Sequence, residues 1–275
     1  MQATELLSRV NLTYGKHPSL SKGACVMECV AYVAGEAHTD HPACACPVIT
    51  KVAIYVNDEC KQLREQGLNL RILRLAGSNK SREVSMRRAY YLVDYAVRTV
   101  MPRRIQHFAP ALADAFAALL PVDCPERLKP VHELLRALGG MYRGLCRKRL
   151  HLTRYVLDLL EKLEEKVLTE DACLALERIT TQEPGTAMSA LVDRLHKEGG
   201  ALALHPADLQ SQLEHEVLTE FVLVALDVLT IREDDTDMLG LLDRLLDIGD
   251  TDDIPVSPQV AQKIADLVAQ RPAHA

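Results

Sequence analysis

The chain has no tryptophan, and aromatic residues make up only 4% of its 275 positions, three of them phenylalanine. A core of large packed rings is therefore excluded. Leu, Ala and Val must fill the interior, and such residues pack well in helices. Long apolar runs are also missing. The longest, Phe221 to Leu229, is broken by Asp227 and is far short of the about 18–20 residues that a bilayer crossing needs. No membrane partner is expected on that ground. The N-terminus shows no charged-then-apolar leader pattern, so the expected location is cytoplasmic. Alternation of apolar and polar residues with period 2 is almost absent, which argues against sheets. No helix-turn-helix or other recognised nucleic-acid module is visible, which disfavours sequence-specific DNA recognition.

Charge is present in quantity and is unevenly placed. Residues 61–154 carry 19 Lys/Arg against 7 Asp/Glu, whereas residues 155–275 carry 9 against 25. The net charge of −6 hides this polarity. A basic segment can meet phosphates, and an acidic one can meet a basic protein surface. The eight cysteines, in a chain of this length without a leader pattern, are expected to be reduced thiols.

Helical periodicity recurs along the chain. Residues 21–34 are expected to form a helix capped by Ser21 and ended by Gly35, with Val26, Val30 and Val33 on one face. Pro47 suits the first turn of the next helix, which runs toward Leu63. Short helical patterns follow around Leu68–Leu75. A long one runs from Ser81 to about Val100, where Pro102 is expected to break it and start another through Leu120. Further helices are expected at 131–138, 143–167, from Thr169, and at 186–198, 206–231, 237–248 and 258–270. The fold class is all-α, a compact assembly of roughly ten to thirteen helices with short Pro/Gly links. Two regions are expected: 1–120, with a Cys/His-rich loop and a basic surface, and 121–275, acidic and helical. A single domain is the alternative.

The densest chemical cluster is His38-x-x-His41-x-x-Cys44-x-Cys46. Two imidazoles and two thiolates can complete a tetrahedral zinc shell, although one residue between the cysteines is tighter than zinc pairs usually are. A polar turn with packing cysteines is the alternative. The same loop admits a thiol enzyme, since Cys46 precedes a helix whose positive end favours a thiolate. Glu28, Glu36 and Asp40 are a weaker candidate for magnesium. Asp247, Asp250, Asp252 and Asp253 resemble part of a calcium loop but lack its central glycine and closing glutamate.

The basic candidates are Arg71, Arg74, Arg82, Arg87, Arg88, Arg103, Arg104, Arg147, Lys148 and Arg149. Their guanidinium forks suit phosphate or carboxylate, and nucleic-acid contact is one possible use. The acidic candidates are Glu214, Glu216, Glu220, Glu233, Asp234, Asp235 and Asp237, whose carboxylates can imitate a phosphate track.

The run from Gly23 to Val48, with its Ala31-Tyr32-Val33-Ala34-Gly35-Glu36 and His38-Thr39-Asp40-His41-Pro42 segments, is followed by a helix carrying Val56-Asn57-Asp58. It resembles a block found in uncharacterised proteins of phages, other mobile elements and bacteria. That resemblance covers about a fifth of the chain and implies no activity, but it makes a mobile-element origin plausible. The expected function is a non-enzymatic interaction protein that binds a host protein or ribonucleoprotein complex. An anti-CRISPR-like inhibitor, competing with nucleic acid on a basic surface, fits this pattern. The alternatives are a metal- or thiol-dependent enzyme centred on 28–46 and a nucleic-acid binder acting through 71–154.

Overall fold

The computed structural model describes residues 3–139, 218, 219, 221–226, 228, 229 and 235–269. Eleven α-helices are named among them, and no strand. They are α1 (Ala3–Leu7), α2 (Val26–Ala34), α3 (Pro47–Glu59), α4 (Lys61–Glu65), α5 (Ile72–Ala76), α6 (Arg82–Asp94), α7 (Met101–Ile105), α8 (Pro110–Ala117), α9 (Leu128–Gly139), α10 (Asp235–Asp247) and α11 (Pro258–Ala269). The described residues at 218–229 are also helical. The all-α expectation is met. No helix among the described residues is long and apolar enough to cross a membrane.

The chain forms two compact units: residues 1–88 with 232–275, and residues 89–231. The first unit is thus discontinuous in sequence, and the expected junction after residue 120 falls inside the second. The expected helices at 143–167, from Thr169 and at 186–198, with the first part of 206–231, lie outside the described residues.

In the first unit α2 is the central element. Seven of its nine residues are buried, so it is apolar nearly all round. It packs against α3, α5 and α11, while α10 packs against α3. Ile49, Val52 and Val56 from α3, Ile72 and Leu75 from α5, Leu241 and Leu245 from α10, and Ile264 from α11 are all buried. Burial of each such side chain contributes about 1.5–3 kcal/mol. Gly35 closes α2 in the left-handed conformation at φ 84°, as the sequence suggests. The helix begins later than expected, however. Ser21 is not its cap; Cys25 is.

The second unit shows another departure. Pro102 does not break the helix. Tyr95–Val100 form a π-helical turn between α6 and α7, and the Met101 amide bonds the Ala96 carbonyl. A wider turn absorbs the missing proline donor without ending the helix. The break comes after Ile105, and Pro110 starts α8. Leu92, Val97, Met101, Phe116, Leu128, Val131 and Leu135 are buried, as are Phe221, Val224 and Val228. Arg104 Nη1 donates to the Val228 carbonyl at 2.6 Å and Nη2 to that of Leu229 at 3.2 Å, so a guanidinium satisfies carbonyls in the 218–229 helical stretch.

Candidate functional site

The first turn of α2 carries a knot of polar groups centred on Glu28, whose side chain is 0% exposed. Burying a carboxylate is costly unless its lone pairs are met, and here both oxygens are occupied. Oε1 accepts the His17 amide at 2.7 Å, and Oε2 accepts the Cys25 amide at 2.8 Å and lies 2.9 Å from His17 Nδ1. His38 Nε2 is 3.5 Å from Oε1 and 2.8 Å from the His17 carbonyl, to which it donates. Glu28 thereby closes a capping box with Cys25, whose sulfur accepts the Glu28 amide at 3.5 Å.

The His17 ring continues the chain of bonds on its other side. Nε2 is 3.0 Å from Thr13 Oγ1, which also accepts the Ala24 amide at 2.8 Å. Gly23 makes this approach possible. At φ +126° it occupies a region that side chains rarely adopt, and a β-carbon there would lie 2.7 Å from Thr13 Oγ1 and 2.8 Å from His17 Nε2. The base of the loop is held by the end of α3. Asn57 Oδ1 accepts the Val26 amide at 3.1 Å, Asn57 Nδ2 donates to the Thr13 carbonyl at 2.9 Å, and Asp58 Oδ1 accepts the Gly15 amide at 2.9 Å.

The four nominated zinc ligands go to different partners. His38 turns to the His17 carbonyl, and His41 Nδ1 lies 3.1 Å from Asp40 Oδ1, which also takes Lys16 Nζ at 2.9 Å. The Cys44 amide donates to Glu36 Oε1 at 2.7 Å, while buried Cys46 places its sulfur 3.2 Å from Ser85 Oγ. Among the described residues no group of three or more His, Cys, Asp or Glu side chains is placed to hold a metal ion. The magnesium candidates are likewise spread apart in role: Glu28 caps α2, and Glu36 accepts the amides of Ala43 and Cys44. Burial pulls the Glu36 carboxyl up, but these amide bonds outweigh it and hold the group below its ordinary value. Burial pushes the Cys25 thiol up to about 12, and burial with the nearby Glu36 pushes Cys44 up to about 12. Neither sulfur is a thiolate near neutrality.

The nominated arginines divide sharply. Arg71 forks onto Asp243, Nε to Oδ1 at 2.8 Å and Nη2 to Oδ2 at 2.5 Å. Arg74 bonds the Thr251 carbonyl at 2.6 Å and pairs with Asp247, one of the nominated calcium acids. Arg88 is 0% exposed. Its Nε reaches the Leu245 and Ile248 carbonyls at 2.9 and 3.0 Å, Nη1 the Ser78 carbonyl at 2.6 Å, and Nη2 Thr251 Oγ1 at 2.7 Å. The expectation that Arg88 offers its fork to a partner's phosphate or carboxylate is therefore corrected: it is an interior residue that caps the C-terminus of α10. Arg104 is the carbonyl-binding residue of the second unit described above. Arg82, Arg87 and Arg103 are exposed. Arg147, Lys148, Arg149, Glu214, Glu216, Glu220, Glu233 and Asp234 lie outside the described residues, and of Asp235 and Asp237 only the helical backbone is described.

No family model, curated protein or solved structure matches this chain.

Proposed function

We infer that this chain is a helical interaction protein whose acidic 214–237 segment docks on a basic, nucleic-acid-binding surface of a host protein or ribonucleoprotein complex. The supporting observation is the charge segregation itself: 25 acids against 9 bases over residues 155–275. A field of one sign steers association and favours a partner of the opposite sign. The packing adds a reason to place recognition on the acids rather than on the basic stretch. Arg71, Arg74, Arg88 and Arg104 all spend their donors within their own units. A nucleic-acid binder acting through 71–154 would have to work without them. A mobile-element inhibitor of host defence, anti-CRISPR-like in mode, is the biological setting that fits this docking and the resemblance of residues 23–58.

Reversal of four of these charges tests the docking. A Glu214→Lys, Glu216→Lys, Glu220→Lys, Glu233→Lys variant is expected to retain the helical circular dichroism of the parent. Its capture of the host complex from lysate should fall by about 100-fold or more, since like charges across an interface cost several kcal/mol. Capture at the parental level by a folded variant refutes the docking.

A further inference from the structure

The bonds around His17 form an ordered relay that the interaction reading does not use. A carboxylate offers only acceptors, so the imidazole nitrogen 2.9 Å from Glu28 Oε2, Nδ1, is the one that carries the proton. In the neutral ring Nε2 is then an acceptor, and its neighbour at 3.0 Å is the Thr13 hydroxyl. Thr13 Oγ1 already accepts the Ala24 amide, which leaves its own proton to be given to Nε2. Hydroxyl, imidazole and carboxylate thus stand in the order and tautomer of an activated nucleophile, its base and the group that orients the base. The carboxylate is wholly buried and the imidazole is 13% exposed, so the orienting end of the relay is dry. Thr13 itself is half-buried. Its neighbours Tyr14 and Lys16 are exposed. The Cys25 thiol accepts the Glu28 amide and is held protonated by burial, which leaves the Thr13 hydroxyl as the nucleophile to consider.

We propose that Thr13 is a reactive hydroxyl that takes an acyl group from an activated ester, with His17 as its base and Glu28 as the group that positions the ring. Thr13 Oγ1 attacks the ester carbonyl carbon as its proton passes to His17 Nε2. The carbon–oxygen bond to the alcohol then breaks, and the alcohol leaves with the proton from Nε2. Water, deprotonated by the same nitrogen, attacks the acyl-threonine carbon, releases the carboxylic acid and restores the hydroxyl. Every proton is returned, and ester and water are the sole reactants. The proposal stands apart from the docking of residues 214–237, and each can fail without the other.

A fluorophosphonate probe and p-nitrophenyl acetate test it on the full chain. The expected result is one covalent probe adduct per chain, mapped to Thr13 by peptide mass, and a burst of p-nitrophenol. Thr13→Val should abolish both, and Thr13→Ser should keep both. His17→Gln should slow labelling by about 100-fold or more, the usual effect of removing a general base. The Thr13→Ser result separates reactivity from folding, because serine keeps the hydroxyl and its bonds. Absence of any adduct on Thr13 in the parent protein overturns the proposal, as does labelling that is unchanged in folded His17→Gln.

Discussion

Glu28→Ala is expected to lower the unfolding free energy by about 2–6 kcal/mol, the sum for two buried amides left without their acceptor. The change leaves the amides of His17 and Cys25 without their acceptor and removes the second half of the α2 capping box. Each orphaned buried donor costs about 1–3 kcal/mol. Glu28→Gln is expected to rescue little, and the reason is geometric. Each carboxylate oxygen accepts one backbone N–H, from His17 on Oε1 and from Cys25 on Oε2. Whichever way the amide is turned, its NH2 faces a backbone donor. Urea denaturation of parent, Ala and Gln variants checks this, with the two variants falling together. A Gln variant as stable as the parent contradicts the assignment of both oxygens as obligate acceptors.

Arg88→Leu is expected to give a loss of similar size, because it removes the buried cation that serves three carbonyls and a hydroxyl, and each buried polar group left unmet costs about 1–3 kcal/mol. Two of those carbonyls, from Leu245 and Ile248, lie at the end of α10, where the helix dipole is negative. A positive group there compensates both the unpaired carbonyls and the partial charge. Lys is not an adequate substitute, because its single ammonium cannot reproduce the planar fork that reaches Ser78, Leu245, Ile248 and Thr251 together. Arg71→Ala, by contrast, is the milder change. Its pair with Asp243 is partly exposed, with the aspartate side chain at 37%, and exposed pairs contribute about 0–1 kcal/mol. Thermal unfolding should rank the variants in that order, Arg88→Leu and Arg88→Lys well below Arg71→Ala. Equal midpoints for Arg88→Leu and Arg71→Ala contradict the role assigned to Arg88.

Fold class was readable because helical signals are local. Gly35 as a helix stop, Pro47 in a first turn and the near-absence of period-2 patterning each need only a few neighbouring residues. Arg88 illustrates what local patterning also offered and what charge obscured. It lies four residues from Val84 and four from Leu92, on the core stripe of α6, but an arginine on that stripe looks like a wet-face residue until its partners are known. Three of the four, Leu245, Ile248 and Thr251, are 157–163 residues away in sequence, and only Ser78 is near, at ten. Pro102 misleads in the same way, because the π-helical turn that accommodates it has no sequence signature.

The polar knot was half visible. Cys25-x-x-Glu28 has the spacing of a capping box, with sulfur where serine or threonine is usual, and Ser21 drew the helix start instead. Asn57 and Asp58 close the segment whose resemblance to other proteins implies no role for either. His17 and Thr13 lie in a loop that carries no periodicity, and only the folded chain shows that they meet Glu28. The His38–Cys46 spacing, conspicuous in sequence, is divided by the fold among His17, Asp40, Glu36 and Ser85.

Competition between this chain and RNA for the captured host complex is the most direct measurement of the proposed role. If the 214–237 acids occupy a phosphate track, rising RNA concentration displaces the protein in proportion, and rising protein displaces the RNA. A stable ternary assembly, with saturating RNA and this chain bound together, contradicts the account.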